Sequence, residues 1–319
     1  MSGFSVVAMM RESRDVVLRF ADYYRRLGAS EIFIYFNGPA EEVPPLPGVE
    51  LTICTPDFWA EHWGGTVNDV LEDRMRVCYR HAYARCTSDW MLVVDSDEFV
   101  FGDRPLAPIL ATLPRGVESI FFPTAEAVFG PGDDPQEAFG STHFRTVWER
   151  QRLWRTLRRP IYGPASDVMR VGLMGHTQGK HMVRTGLALS SINGHRSKRG
   201  ETALGVPASK VSPDFANFHL GHFDALSQAR WEAKWRYRID KVVVASGMSG
   251  PRQDQMRMVA AAMASDRSAE LFRSFYCLSP MQYQALALFG KAFRRSGLFG
   301  AAETRATPDL AHVKPSLAA

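Results

Sequence analysis

The chain opens on an apolar run, Phe4 to Met10, of the length expected for a buried strand. Ser13 follows as a candidate N-cap. Val16, Phe20, Tyr24 and Leu27 then recur on one helical face until Gly28 ends the pattern. Glu31 to Phe36 predicts a second strand, closed by Asn37-Gly38. Pro44, Pro45 and Pro47 keep the next segment a loop, and Val49 to Cys54 predicts a third strand. A helix is expected over Val67 to Cys86, which holds no proline or glycine. Trp90 to Val94 is a strongly apolar strand candidate that runs straight into Asp95-Ser96-Asp97-Glu98-Phe99.

Further along, Glu118 to Pro123 and Lys180 to Arg184 read as strands, and Phe129 to Pro135 as a loop. His195 to Val211 is polar and predicts loop. Helices are expected over Ser227 to Ala245, Gln253 to Tyr276 and Pro280 to Arg295. Strands alternating with helices predict an α/β fold: a Rossmann-type, mostly parallel mixed sheet flanked by helices, with a helical C-terminal region. In such sheets ligands bind at the carboxyl ends of the strands, where the acidic cluster falls. The expected organisation is a main domain over 1–245, a helical extension over 246–300 and a flexible tail over 301–319.

Composition changes this picture little. With 319 residues, 45% hydrophobic and 23% charged, the chain fits one large domain or a domain plus an appendage, and global disorder is excluded. A formal charge of +4 suits an anionic ligand such as a nucleoside diphosphate without demanding nucleic acid. Cys54, Cys78, Cys86 and Cys277 form no C-x-x-C pair, so neither a zinc motif nor a redox motif is indicated. No basic residue precedes Phe4, and no stretch approaches the ~20 apolar residues of a membrane span. A cytoplasmic protein with reduced thiols is expected. Lys291, Arg294 and Arg295, near Leu286, Phe289 and Phe293, raise the alternative of a C-terminal helix resting on the inner face of an anionic membrane.

Three carboxylates within four residues, Asp95, Asp97 and Glu98, repel one another unless a cation or hydrogen-bond donors compensate. A hard divalent ion, Mn2+ or Mg2+, does so and bridges carboxylates to substrate phosphates. The plain alternative is a solvated turn whose acids cap the next helix. A second notable stretch is basic and aromatic: Arg145, Arg150, Arg152, Arg155, Arg158 and Arg159 with Trp148 and Trp154. It reads as an amphipathic helix with its tryptophans inward, as an acceptor-binding flap, or as an RNA contact.

Several blocks together carry a family resemblance. WMLVVDSDEF, Trp90 to Phe99, resembles the W-x-x-x-x-D-x-D-E-F signature of bacterial glycosyltransferase family 2-like proteins. These are GT-A-type enzymes with family 92 as distant relatives. The opening strand, the pair Arg11-Glu12, the helix ending in Leu27-Gly28 and the strand before Asn37 resemble that family's start. Gly179 to Arg184 is similar to its G-K-x-[IV]-[IV]-R element. His222-Phe223, Ser227 and Lys234 resemble its late histidine, serine and lysine pattern.

The resemblance implies a metal-dependent, inverting transfer of a sugar from a nucleotide-sugar, expected to be a UDP-sugar, to a glycan or glycolipid acceptor, as in polysaccharide biosynthesis. It places Arg11, Glu12, Asn37, Asp95, Lys180 and Arg184 on the donor, with Asp95, Asp97 and His222 at the metal and Glu98 orienting them. An acceptor base is sought among Asp134, Asp133 and Glu126, which follow a strand. No nucleic acid partner is expected. The rival reading is a catalytically idle sugar-nucleotide or glycan-binding protein on the same fold.

Overall fold

A computed structural model describes residues 3–43, 46–240 and 250–299. The first elements follow the expected alternation: β1 (Phe4–Met10), α1 (Arg14–Leu27), β2 (Glu31–Phe36), β3 (Glu50–Ile53), α2 (Pro56–His62), α3 (Leu71–Arg85) and β4 (Trp90–Val93). Gly28 ends α1 in the left-handed conformation, φ 95°, with its N–H on the Arg25 carbonyl. Ser13 occupies the N-cap position, but its hydroxyl donates to Asp15 instead of capping a helix N–H.

β5 (Glu98–Phe101), α4 (Leu106–Thr112), β6 (Ser119–Phe122) and β7 (Thr124–Val128) come next, then β8 (His143–Thr146) and α5 (Gln151–Tyr162). β9 (Lys180–Arg184) precedes a small antiparallel sheet of β10 (Ser191–Ile192), β11 (Ser197–Arg199) and β12 (Thr202–Leu204). After it lie β13 (Val206–Pro207), α6 (Ala208–Val211) and β14 (His219–His222). The described chain ends with α7 (Gln228–Asp240), α8 (Gly250–Ala264), α9 (Ser268–Tyr276), α10 (Pro280–Leu288) and β15 (Ala292–Arg294).

The main sheet has the order β13-β6-β9-β4-β1-β2-β3. Four of its pairings are parallel (β13–β6, β4–β1, β1–β2, β2–β3), and β9 runs antiparallel to both neighbours. The α/β fold with a mostly parallel, helix-flanked sheet is therefore what the chain adopts. Side chains alternate across it between two cores. Val6, Ala8, Met10, Ile32, Ile34 and Leu92 face one, with α1. Val7, Met9, Phe33, Tyr35, Met91 and Val93 face the other, with α2 and α3. Burial on both faces explains why these strands read as continuous apolar runs.

A second sheet, β15-β8-β7-β14-β5, packs beside the first. Two chain segments step from one sheet into the other. β4 gives way to β5 across Asp95-Ser96-Asp97, and β6 gives way to β7 across Pro123. Sequence analysis ended the latter strand at Pro123. The proline, which donates no ladder hydrogen bond, instead marks the sheet change.

Other expectations need correction. The helix expected from Val67 begins at Leu71, and residues 195–211 contain short strands. The helix expected from Gln253 to Tyr276 is two helices, broken around Asp266, φ 54°. The C-terminal helix stops at Leu288. A turn with Gly290 at φ 64° reverses the chain, and Phe293 continues as strand β15, paired to β8. Lys291 bonds to Glu149 and the Val147 carbonyl, and Arg295 to Asp103 and the Gly102 carbonyl. These cations thus hold β15 and do not form one face of a membrane-surface helix. Among the described residues no helix is long and apolar enough to cross a membrane. The 245/246 boundary and the 301–319 tail lie outside the described residues. β15 completes the second sheet, and α8 and α9 pack with α7 and α5 around Trp154, Trp231 and Trp235.

Phe99 of β5 is fully buried, with Tyr23, Tyr24, Phe139, Phe223 and Phe299 around it. Phe99→Ala is expected to lower stability by about 3–5 kcal/mol, read as a lower urea midpoint. Loss below 1 kcal/mol would show that β5 is not anchored through this ring.

Candidate functional site

Parallel strands β1, β2, β3 and β4 point their carboxyl ends the same way. The chain order reverses between β1 and β4, which makes that gap the switch point where α/β sheets hold ligands. Arg11 and Glu12 follow β1, Asn37 follows β2, and Asp95 follows β4. The Asn37 N–H bonds to the Met10 carbonyl, 2.8 Å, and the Ser96 hydroxyl donates to Glu12, 3.0 Å. The two sides of the switch point are therefore tied together.

The acidic turn sits at the seam between the two sheets and is mostly buried: Asp97 is 5% exposed and Glu98 fully buried. Its charges are met one by one. Lys180 opens β9 beside Phe122 and donates to Asp95 Oδ2 at 2.7 Å, with Glu98 Oε2 at 3.3 Å. The Asp95 N–H donates to Glu98 Oε2, 2.7 Å. His176 Nε2 lies 2.6 Å from Glu98 Oε1. On β14, His222 is the register partner of both Glu98 and Glu126, and its Nε2 is 3.9 Å from Asp97 Oδ1. Lys234 of α7 reaches Asp97 Oδ2 at 3.6 Å and Asp224 Oδ1 at 3.1 Å. Arg252 of α8 and Tyr276 of α9 also bond to Asp224.

Electrostatics follow from this packing. Burial pushes the Glu98 carboxyl up, but Lys180 and the His176 hydrogen bond outweigh it and hold Glu98 well below the usual carboxylate range. Burial alone pulls Lys180 down; Asp95 and Glu98 reverse this and raise it above an ordinary lysine. Asp224 is likewise held far down, burial being outweighed by Lys234 and Arg252. His195 stacks edge-on against His176 and bonds through Nδ1 to the Gly179 carbonyl. Burial and Lys180 lower it to about 4, so it is neutral at pH 7.

The four carboxylates Asp95, Asp97, Glu98 and Asp224 face Lys180, Lys234 and Arg252, and buried Arg238 also acts on Asp97 and Asp224. What remains open is hydrogen-bonding capacity: Asp95 Oδ1, Asp97 Oδ1, His176 Nδ1 and His222 Nδ1 are buried atoms without a partner. Two groupings have ligand atoms within 4.8 Å of one another, Glu98-His176-His222 and Asp97-His222-Asp224. This donor set fits a divalent cation.

His176 is held by β7. The Glu126 carboxylate, fully buried, accepts the N–H groups of Met174 and Gly175, and Thr124 accepts that of Gly179. A Cβ on Gly175 would lie 2.6 Å from the His222 ring, so only glycine lets this loop approach. His176, Asp224, Arg252 and Tyr276 do not stand out along the chain. His176 lies in a loop without periodicity, and the others become neighbours only through helix packing. The one available signal was position: His176 stands four residues before Lys180 and Asp224 two after His222.

The expected site residues divide. Arg11, Glu12, Asn37, Asp95, Asp97, Glu98, Lys180 and His222 gather at the switch point and seam. Lys180, read as a phosphate contact, is instead the counter-charge of Asp95 and Glu98. Arg184 lies at the far end of β9, opposite Trp90, where it bonds to the carbonyls of Val117, Leu113 and Pro114; it is no donor contact. His219 and His222 are both on strand β14, and His219 packs on Phe101 and Phe293.

The three expected bases have other partners in this structure. Asp133 closes its own loop by bonding Gly130, Thr142 and His143. Asp134 is exposed and caps the Gln136 N–H. Glu126 adjoins the cluster, but Arg145 and the two loop N–H groups occupy its oxygens. Of the basic-aromatic stretch, α5 carries buried Trp154 with exposed Arg152, Arg155 and Arg159, as an amphipathic helix does, whereas Trp148 is buried ahead of the helix and Arg145 is buried in β8 on Glu126.

No family model matches the chain, and no curated protein does. Among solved structures, HddC from Yersinia pseudotuberculosis aligns at 11% identity over 58% of this chain and 75% of its own, TM-score 0.27. S. aureus TarS 1-349 aligns at 11% over 80% of this chain and 69% of its own, TM-score 0.27. The same TarS fragment in complex with UDP-GlcNAc aligns at 12% over 80% and 70%, TM-score 0.23. At such scores function must be read from the site's own geometry.

Two outcomes are expected. Lys180→Ala removes the charge partner that Asp95 and Glu98 share and lowers stability by about 3–5 kcal/mol with no nucleotide present, measured by denaturant titration. A neutral effect would return Lys180 to the role of a phosphate contact. For Asp133, burial raises the carboxyl but the Thr142 and His143 bonds outweigh it and lower it below 3.8. Its contribution is therefore complete above that value and is lost as pH falls through the lowered folded value. Asp133→Asn should be less stable than wild type at pH 7, with the gap closing on acidification below about pH 4. A gap that widens on acidification would contradict this sign.

Proposed function

We propose that this chain is a metal-dependent glycosyltransferase of the GT-A type. It moves a sugar from a nucleotide-sugar, a UDP-sugar by the motif resemblance, to a hydroxyl of a glycan or glycolipid, with inversion. The observation that carries the reading is the buried carboxylate–histidine cluster at the switch point, with Asp97 and His222 offering unpartnered atoms. Arg11, Glu12 and Asn37 line the carboxyl ends of β1 and β2 and are assigned to the nucleoside. Asp97 and His222 are assigned to a divalent cation, with Asp95 beside them. Such an ion neutralises charge on the departing diphosphate.

The chain's own part is to hold these groups in place. Lys180 bonds to Asp95 and Lys234 reaches Asp97 in a dry setting, and the Glu12–Ser96 bond fixes the β1 loop over the β4 turn. In the displacement, the acceptor oxygen bonds to the anomeric carbon as the bond to diphosphate breaks, and the hydroxyl proton passes to a base.

Thermal unfolding with UDP-, GDP- and dTDP-sugars, with and without Mn2+, tests the reading. Linkage predicts a metal-dependent rise with a UDP-sugar, about 2.7 kcal/mol at a hundredfold excess over Kd, absent in Asp97→Asn. No response to any nucleotide-sugar would sink the proposal. Binding without transfer or hydrolysis would instead identify an idle sugar-nucleotide-binding protein.

A further inference from the structure

The resemblance implies Asp95, Asp97 and His222 at the metal, but Asp95 Oδ2 is already bound by Lys180 at 2.7 Å. The acids that remain beside His222 are Asp97 and Glu98, and Glu98 brings His176 with it at 2.6 Å. The His176 and His222 rings stack at 4.7 Å. One ligand atom each from Glu98, His176 and His222 falls within a 4.8 Å span, and His222 is shared with the Asp97 grouping. Glu98 and His222 are at least nine-tenths buried, and His222 Nδ1 has no hydrogen-bond partner. The loop carrying His176 is pinned by Glu126 and Thr124, so the imidazole is fixed before any ion arrives.

From this donor set we infer that the cation is held by two imidazoles, His176 and His222, with Glu98, and that Asp97 adjoins it through the shared His222. The site therefore selects a transition ion such as Zn2+ or Mn2+ over Mg2+. Two nitrogen donors and a carboxylate form a set that zinc and its neighbours accept. Mg2+ favours oxygen ligands in near-ideal octahedra and keeps its waters. The inference deepens the transferase reading by naming its metal, and it adds a ligand that the D-x-D-E-F motif does not contain.

The test uses chelator-stripped full-length protein without nucleotide. Zn2+, Mn2+ and Mg2+ are titrated separately by calorimetry, and bound metal is counted after dialysis. One Zn2+ or Mn2+ per chain is expected, with Mg2+ at least a hundredfold weaker. His176→Ala should weaken Zn2+ and Mn2+ more than tenfold while circular dichroism stays unchanged. The Co2+-loaded protein supplies a second readout: its visible absorption should change in His176→Ala, as loss of a nitrogen ligand requires. Wild-type affinity and an unchanged Co2+ spectrum in His176→Ala would overturn the inference, as would Mg2+ binding as tightly as Mn2+. The two proposals fail separately. Histidine-dependent metal binding with no nucleotide-sugar response removes the transferase and keeps the site. A Mg2+-supported UDP-sugar response indifferent to His176 does the reverse.

Discussion

The structure turns on the burial of like charges. Asp95, Asp97 and Glu98 stand at the end of an apolar strand, where two sheets meet, and Asp224 joins them from the end of β14. An unpaired carboxylate in such surroundings would take up a proton. Here the surroundings prevent it. Lys180 comes from an antiparallel strand, Lys234 and Arg252 from two later helices, and His176 from a loop pinned to β7. Each of these elements is positioned by its own packing, so the charge pattern depends on the whole fold.

The seam has a further consequence. Because β4 passes into β5, and β6 into β7, the turn between sheets is held at both ends by ladders of hydrogen bonds. A surface turn would let its acids rotate into water. This one fixes the direction of each oxygen, and that fixity is what binding and catalytic sites require. The rigid positioning also explains the glycines of the 172–179 loop: backbone, not side chain, must pass beside His222 and Phe122.

Much of the architecture was legible along the chain. β1, β2 and β4 are short apolar runs with clear boundaries, and α1 has both helical spacing and a terminal glycine. The acidic turn stood out by charge density alone. Less legible were the segments whose neighbours are distant in sequence. Pro123 looked like an end because local chemistry cannot show that another sheet continues beyond it. Arg184 looked like a donor contact because its strand also carries Lys180, and only antiparallel pairing with β4 sends the two to opposite ends. Asp133 looked available as a base until its bonds to Thr142 and His143 were seen.

Sequence by itself determined the alternation of strands and helices and the placing of acids at a strand's carboxyl end. These follow from local periodicity and from residue chemistry, which need no knowledge of distant partners; Lys180 and His222 were marked only by the motif resemblance. Tertiary structure alone decided which charges meet. It set Lys180 on Asp95, brought His176 to Glu98, and closed Asp224 under Tyr276 and Arg252. The reason is physical: ionic and coordinating interactions act over a few ångströms, and only folding brings residues many positions apart within that range.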